Sequence, residues 1–383
     1  METSYALLKP LIILVAVLAF IGGVLFAVYR DQTNPPRYTS EDFTGQDMQT
    51  AMQQIASATV EGGAPGVVIH IRQNGESQTV AAGLANKAAG QPMPTDTPLR
   101  IASISKIYTG AVIHHLLAQS AFELTTPISD LLPPEMLDGI PNADEATVRQ
   151  LLQHTSGIPD YYDIRSYLFS DWREPITLER MLPVIRRNPA TGAPGAEYHY
   201  SNTGYLLLGE IAETVSGKPM DALIEEVITS PLGLQATYYN QYQPVPEDIH
   251  GYGTYLRPWK DTHEYWEHSG PDGGVMASAQ DVSALLAALL IEDGPLSPIG
   301  ANMVSEFVPR AVRRRQALGI ETIMNRSGEE LFGHTGDVFG YQTIAYALPE
   351  RSTVIVAQVN CNCAALTSSL IANLYRAVEA IDG

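Results

Sequence analysis

The chain has 383 residues, 45% of them apolar and 17% charged, which provides for a large buried core and excludes disorder for most of its length. Lys and Arg number 23 against 42 Asp and Glu, a net charge of −19, so phosphate backbones are repelled and no nucleic-acid partner is expected. Two cysteines, Cys361 and Cys363, are too few for a disulfide framework or a Cys-rich zinc site.

Residues 1–9 form a short head. Pro10 and the run Leu11 to Tyr29 carry no charge, and at ~1.5 Å per residue they span ~30 Å, the thickness of a bilayer's hydrocarbon. The run ends Phe26-Ala27-Val28-Tyr29-Arg30, a poor cleavage site, so residues 10–29 are predicted to be an uncleaved transmembrane signal anchor. A cleaved signal or a buried core helix is the alternative. The short head places the rest of a single-pass protein on the periplasmic or extracellular side of the cell membrane. Residues 30–47, with Asn34-Pro35-Pro36, read as a linker. Residues 48–383 read as one domain.

Within that domain Gly66 to Arg72 and Gln78 to Ala81 flank Asn74-Gly75, the signature of a tight hairpin. Thr203 to Val215, stopped by Gly217 and Pro219, and Val282 to Ile291, preceded by Ser278-x-x-Asp281, read as helices. Ala317 to Met324, Leu331 to His334, Tyr341 to Ala347 and Thr353 to Val359 read as a strand meander. Ala364 to Ile381 closes the chain as a helix. Strands from both ends with helices between them predict an α+β domain, an antiparallel sheet flanked by helices with a helical insertion.

Three short motifs carry the chemistry. In Ser103-Ile104-Ser105-Lys106 the first and last residues are almost one helical turn apart and share a face. Ser103 then lies at a helix start, where free backbone N–H groups favour a developing oxyanion. Lys106 faces Ile107, Ala111, Val112 and Leu116, and apolar surroundings favour a neutral amine that can act as a base. An ordinary helix-start serine beside a snorkelling lysine gives the same pattern. Tyr200-Ser201-Asn202 precedes a helix, where an asparagine also serves as a cap; its functional reading turns the Tyr200 hydroxyl and Asn202 amide toward the serine. His334-Thr335-Gly336 falls on a predicted strand, where small residues let a substrate backbone approach.

Together, and with Thr147 to Pro159 and Gly273 to Ser278, these motifs resemble the penicillin-recognising serine hydrolases, specifically the β-lactamase-related group of class C β-lactamases, serine D-alanyl-D-alanine carboxypeptidases and esterases. The resemblance covers roughly residues 48 to 380. It implies a β-lactamase/DD-peptidase-like fold and an acyl-enzyme mechanism without a cofactor or metal. Ser103 would be the nucleophile, Lys106 the base and Tyr200 the relay and acid for the leaving group. Asn202 would hold the substrate amide. His334, Thr335, Gly336 and Asp337 would form the substrate-binding strand, with the backbone N–H groups of Ser103 and Asp337 as the oxyanion hole. The substrate would be a small molecule or peptide: an amide, peptide or ester of the carboxypeptidase, D-aminopeptidase or esterase kind.

Two departures are expected to weaken β-lactam turnover. His334 stands where the β-lactamases have a lysine, and it attracts a carboxylate less. Asp337 stands where a small or hydroxyl residue is usual, and its carboxylate is expected to disfavour anionic substrates. The competing class is a non-catalytic penicillin- or peptidoglycan-binding receptor of the same fold. No Gly-x-Ser-x-Gly elbow occurs to support an α/β-hydrolase. Cys361-Asn362-Cys363 reads as two small residues at a strand end, because a one-residue gap strains a disulfide. The aromatic loops Asp160 to Trp172 and Tyr238 to Trp266 read either as walls of the substrate pocket or as packing of the helical insertion.

Overall fold

The computed structural model describes residues 38–163, 166, 171, 173–239, 249–253, 260–264, 270–325 and 327–382. The anchor expected over residues 10–29 lies outside the described residues, as do parts of both aromatic loops. Among the described residues no helix is long and apolar enough to cross a membrane.

Short strands build the frame, and their inward and outward alternation decides what lies on each face. The strands are β1 (Gly66–Gln73), β2 (Glu76–Asn86), β3 (Gln91–Pro92), β4 (Leu99–Arg100), β5 (Thr237–Tyr239), β6 (Tyr252–Gly253), β7 (Lys260–Asp261) and β8 (Val275–Ala277). They continue as β9 (Val308–Ala311), β10 (Arg314–Gln316), β11 (Glu321–Met324), β12 (Glu330–Val338), β13 (Tyr341–Leu348) and β14 (Thr353–Val359). Nine of them form one sheet in the order β3-β2-β1-β14-β13-β12-β11-β10-β9. Its named pairings are antiparallel, so the first strands of the domain lie beside the last. The expected hairpin turns at Asn74 and Gly75, whose φ values of 50° and 85° are those of a primed turn. A second sheet has the order β4-β8-β5, and β4 runs into the turn that carries Ser103.

Helices α1 (Met48–Glu61), α2 (Ser105–Ala118), α3 (Val148–Leu152), α4 (Asn202–Ser216), α5 (Ala279–Leu290) and α6 (Ala364–Asp382) accompany the sheets. Val67, Ile69, Ile71, Ile344, Tyr346 and Ile355 pack against α1 and α6 on one face of the large sheet. The alternate residues Val68, Ala345, Ala347, Val354 and Val356 face α2, α4 and α5 on the other. Both sides of β13 and β14 are therefore buried, which explains their unbroken apolar runs. Ser278 caps α5 through the Asp281 N–H, 3.2 Å away, and Gly217 ends α4 with φ 68°.

Three sequence expectations need correction. Residues 38–47 are not all tether: Ser40–Phe43 forms a 3-10 turn, and Phe43 is fully buried with α1 and α6. The segment before α2 is a 3-10 turn, Ala102–Ile104, rather than the first turn of the α-helix itself. Cys361 and Cys363 are bonded to each other, so the one-residue gap that argued against a bridge is spanned at the end of β14.

Candidate active site

β4 delivers the chain to Ile101, whose N–H is bound by the Val275 carbonyl of β8 at 3.2 Å. Ala102 then takes φ +50°, a conformation that non-glycine residues avoid and that marks a locally imposed turn. It opens the 3-10 turn that carries Ser103 and sets the serine beside Lys106 and Tyr200. The start of α2 is pinned by Ser105 Oγ, which accepts from the Val275 N–H at 2.9 Å.

Ser103 Oγ has two neighbours. Tyr200 OH donates to it at 2.8 Å, and Lys106 Nζ lies 3.1 Å away. Lys106 is fully buried. Its Nζ makes two further contacts, to Asn202 Oδ1 at 2.8 Å and to the Asp272 carbonyl oxygen at 2.7 Å. Both of those partners accept only, so they take two N–H groups. The third position of the nitrogen, directed at Ser103, is a lone pair when the amine is neutral. Burial lowers the Lys106 pKa to about 8, against the opposing pull of the Asp272 and Asp160 carboxylates. Tyr200 moves the other way: burial raises its phenol well above the usual value. Lys106 rather than Tyr200 therefore changes charge near neutral pH.

The sequence reading placed Asn202 among the substrate contacts. In the structure its oxygen faces Lys106, and its Nδ2 donates to Asp160 Oδ2 at 3.0 Å. Asp160 Oδ1 also accepts from the Asn202 backbone N–H at 3.0 Å. It thus caps the start of α4 from a neighbouring loop, where Ser201 makes no side-chain cap. The fully buried Asp272 accepts from Tyr161 OH through Oδ2 at 2.7 Å. Behind Tyr200 the His154 ring lies 4.4 Å from the tyrosine ring, and its Nδ1 accepts from the Ser201 N–H at 3.2 Å. Sequence reasoning missed Asp160, Asp272 and this role of His154. His154 lies within the family-like run Thr147 to Pro159, which was the available signal. Nothing local marks Asp272, because its contact with Lys106 spans 166 positions.

Strand β12 divides the remaining expected residues between its two faces. His334 and Gly336 are buried on the catalytic side; Thr335 and Asp337 are exposed on the other. A Cβ at Gly336 would stand 2.0 Å from the Ile101 carbonyl oxygen, so only glycine lets β12 lie this close to the turn bearing Ser103. Thr335 and Asp337 instead line a cavity between the sheet and α6. Gln342 Nε2 and Asn362 Nδ2 donate to the Asp337 carboxylate at 2.7 and 2.6 Å. This corrects the expectation that Asp337 charges the substrate site: its side chain is turned away from Ser103. Pairing between β11 and β12 ends at Glu321 and Gly333, so residues 334–338 of β12 extend beyond β11.

His334 is buried, its ring centroid 6.2 Å from that of Tyr200. Its Nδ1 lies 2.5 Å from the Thr335 carbonyl oxygen and so carries the ring proton. Burial and the nearby Lys106 charge push its pKa down to about 3. The ring is neutral at working pH, with Nε2 as a bare acceptor. Arg310 stands at the rim, 5.9 Å from the centre of the Tyr200 ring, and pairs with the buried Glu321.

Residues 46–366 match the family described as Beta-lactamase. The sequence is 23% identical over 335 residues to "Penicillin-binding protein 4" of Amycolatopsis lactamdurans, covering 82% of this chain and 84% of the relative. It is 27% identical over 286 residues to "Esterase EstB" of Burkholderia gladioli, covering 63% and 68%. The structure superposes on the D-amino acid amidase from Ochrobactrum anthropi SV3, solved with L-phenylalanine amide, with a TM-score of 0.77 at 25% identity, covering 88% of this chain and 99% of that one. The chain belongs to the Beta-lactamase family and is a serine hydrolase.

Proposed function

We propose that the protein hydrolyses amides or esters of small molecules or short peptides through an acyl-enzyme on Ser103. The observation that carries this reading is the three-way contact at Lys106: two N–H groups are committed to carbonyl oxygens and the third position meets Ser103 Oγ. The neutral amine takes the serine proton as Oγ attacks the substrate carbonyl carbon. The resulting oxyanion lies against the backbone N–H groups of Ser103 and Asp337, a pairing of donors worth several kcal/mol in acyl transfer. As the tetrahedral intermediate collapses, Tyr200 gives its proton to the leaving amine or alcohol and regains one from the Lys106 ammonium. Water then adds to the acyl carbon as the neutral Lys106 takes its proton, and the C–Oγ bond breaks with that proton returned to Ser103 Oγ.

The neutral His334 favours substrates without a free carboxylate at that point, such as an ester or an amino-acid amide. The names of the relatives, an esterase and a D-amino acid amidase, agree with that class. A D-alanyl-D-alanine carboxypeptidase remains the second reading, supported by a relative of that name that is 32% identical over 148 residues. The uncharged run 10–29 further supports a protein held at the cell membrane, with this domain on the periplasmic or extracellular side. The test is Ser103→Ala against wild type on a p-nitrophenyl ester, a D-amino-acid amide, a D-alanyl-D-alanine peptide and nitrocefin. Wild type is expected to favour the ester or amide over nitrocefin by kcat/KM. The variant should lose at least about a thousand-fold and all labelling by a fluorophosphonate. Unchanged ester turnover in the variant would remove Ser103 from the mechanism.

A further inference from the structure

The outer corner of the large sheet departs from the acidic character of the chain. The hairpin β9–β10 and its turn run Val308-Pro309-Arg310-Ala311-Val312-Arg313-Arg314-Arg315-Gln316, with four arginines and no acid. Two of these are matched, Arg310 by Glu321 and Arg315 by Glu330. Arg313 in the turn and Arg314 at the start of β10 are exposed, and neither forms an ion pair with an acidic residue among the described residues. Nearby Glu329 is committed to Arg351.

The same tip carries exposed apolar groups. Among the described residues three large hydrophobic side chains are strongly exposed: Val312 at 91%, Tyr238 at 51% and Met324 at 41%. Two of the three belong to this corner, since the Met324 N–H bonds the carbonyl of Arg313, the residue after Val312, at 2.8 Å. Isolated exposed hydrophobics need no explanation, but a pair flanked by unmatched arginines is the pattern of an interfacial contact.

The path of the chain says which surface this corner faces. The Tyr38 N–H, at the first described residue, bonds Asn373 Oδ1 of α6 at 3.2 Å, and Arg376 Nη1 bonds the same oxygen at 3.2 Å. Arg376 and Arg314 line one cavity of about 900 Å³ between α6 and the sheet. The chain therefore enters the domain on the side of the basic hairpin. Only residues 30–37 separate it from the uncharged run ending at Tyr29, a reach of roughly 27 Å when fully extended.

We infer that the β9–β10 hairpin is a second membrane contact, with Val312 and Met324 entering the headgroup layer and Arg313 and Arg314 binding the phosphates of anionic lipid. This rests on the reading of residues 10–29 as an anchor. Two arginines near an anionic leaflet are together worth roughly a 30-fold preference, too little to hold a protein alone but enough to orient one already tethered. Because Arg310 of the same hairpin lies over Tyr198 and Tyr200, docking would set the mouth of the active site beside the bilayer surface.

The test uses the full-length chain with Val312→Cys labelled by an environment-sensitive fluorophore. Cys361 and Cys363 are bonded to each other and escape labelling. The protein is reconstituted in phosphatidylcholine vesicles with or without phosphatidylglycerol, and vesicle flotation reports anchoring separately. Docking predicts a blue-shifted, severalfold brighter probe with phosphatidylglycerol only, and no change for a probe at Tyr238. Arg313→Asn with Arg314→Gln should abolish the shift while flotation persists; asparagine suits the positive φ at Arg313. Flotation with a probe that stays in water in both lipids overturns the docking and leaves the anchor standing. Failure to float overturns both. A shift that grows with protein concentration in the absence of vesicles overturns it in favour of self-association.

Discussion

Lys106 sets the pH response of the site. With a pKa of about 8, about a tenth of it is neutral at pH 7, and the reactive fraction rises roughly tenfold per pH unit below that value. The acid limb of kcat/KM should therefore climb and level off above pH 8. Tyr200 cannot produce this limb, because its phenol is shifted upward. Lys106→Arg should be nearly inactive across pH 5 to 10, since a guanidinium keeps its proton. Asp272→Asn provides the finer measurement. It keeps the backbone carbonyl that receives Lys106 but deletes a carboxylate that favours the ammonium form. The acid limb should move to lower pH, with the Tyr161 hydroxyl still able to bond the amide. A limb that stays in place would show that Lys106 does not sense the Asp272 charge. Ser103, Lys106 and Tyr200 were legible because their chemistry is local or carried by a short motif. Asp160 and Asp272 were not, because their contacts cross 42 and 166 positions of chain.

At the scale of the element, β12 shows what periodicity reveals and what it hides. The apolar runs and turn residues were sufficient to place the antiparallel meander and its closing helix. They did not reveal the β9–β10 hairpin, whose arginines lack the alternation of a half-buried strand. Strand alternation does explain the fate of His334-Thr335-Gly336-Asp337: the His334 side chain and the bare Cα of Gly336 lie on the catalytic face, and the Thr335 and Asp337 side chains lie on the other, lining the cavity beside α6. The error over Asp337 came from reading a motif as one cluster when a strand splits it between faces. Gly336 tests the close approach. In Gly336→Ala the new methyl would overlap the Ile101 carbonyl oxygen, 2.0 Å away, and must displace the turn that carries Ser103. Displacements near 1 Å can cost about a hundred-fold in rate. The acylation rate should fall by that order while the circular dichroism of the sheet persists. Acylation at the wild-type rate would show that the strand and the turn can separate without consequence.

For the whole molecule the question is where the folded unit begins. Composition suggested residue 48, after a polar stretch containing Asn34-Pro35-Pro36. The structure carries the fold ten residues further toward the N-terminus. Phe43 is fully buried between α1 and α6, and its ring centroid lies 5.3 Å from that of Tyr38. Asp47 caps α1 by accepting from the Thr50 N–H at 2.9 Å. Sequence periodicity could not see this, because one phenylalanine in a polar stretch forms no pattern; its burial depends on α6, more than 300 positions away. A chain beginning at Tyr38 should therefore melt with the full-length protein. One beginning at Met48 loses the Asp47 cap and the Phe43 side chain, the latter about 3 kcal/mol on transfer and cavity grounds. At roughly 2 °C per kcal/mol for a domain of this size, the shorter chain should melt at least about 6 °C lower. The active site lies across the sheet from Phe43, so the ester kcat/KM of the two chains at 25 °C should agree. Thermal unfolding of both truncations, followed by calorimetry, makes the comparison; equal melting temperatures would return residues 38–47 to the tether.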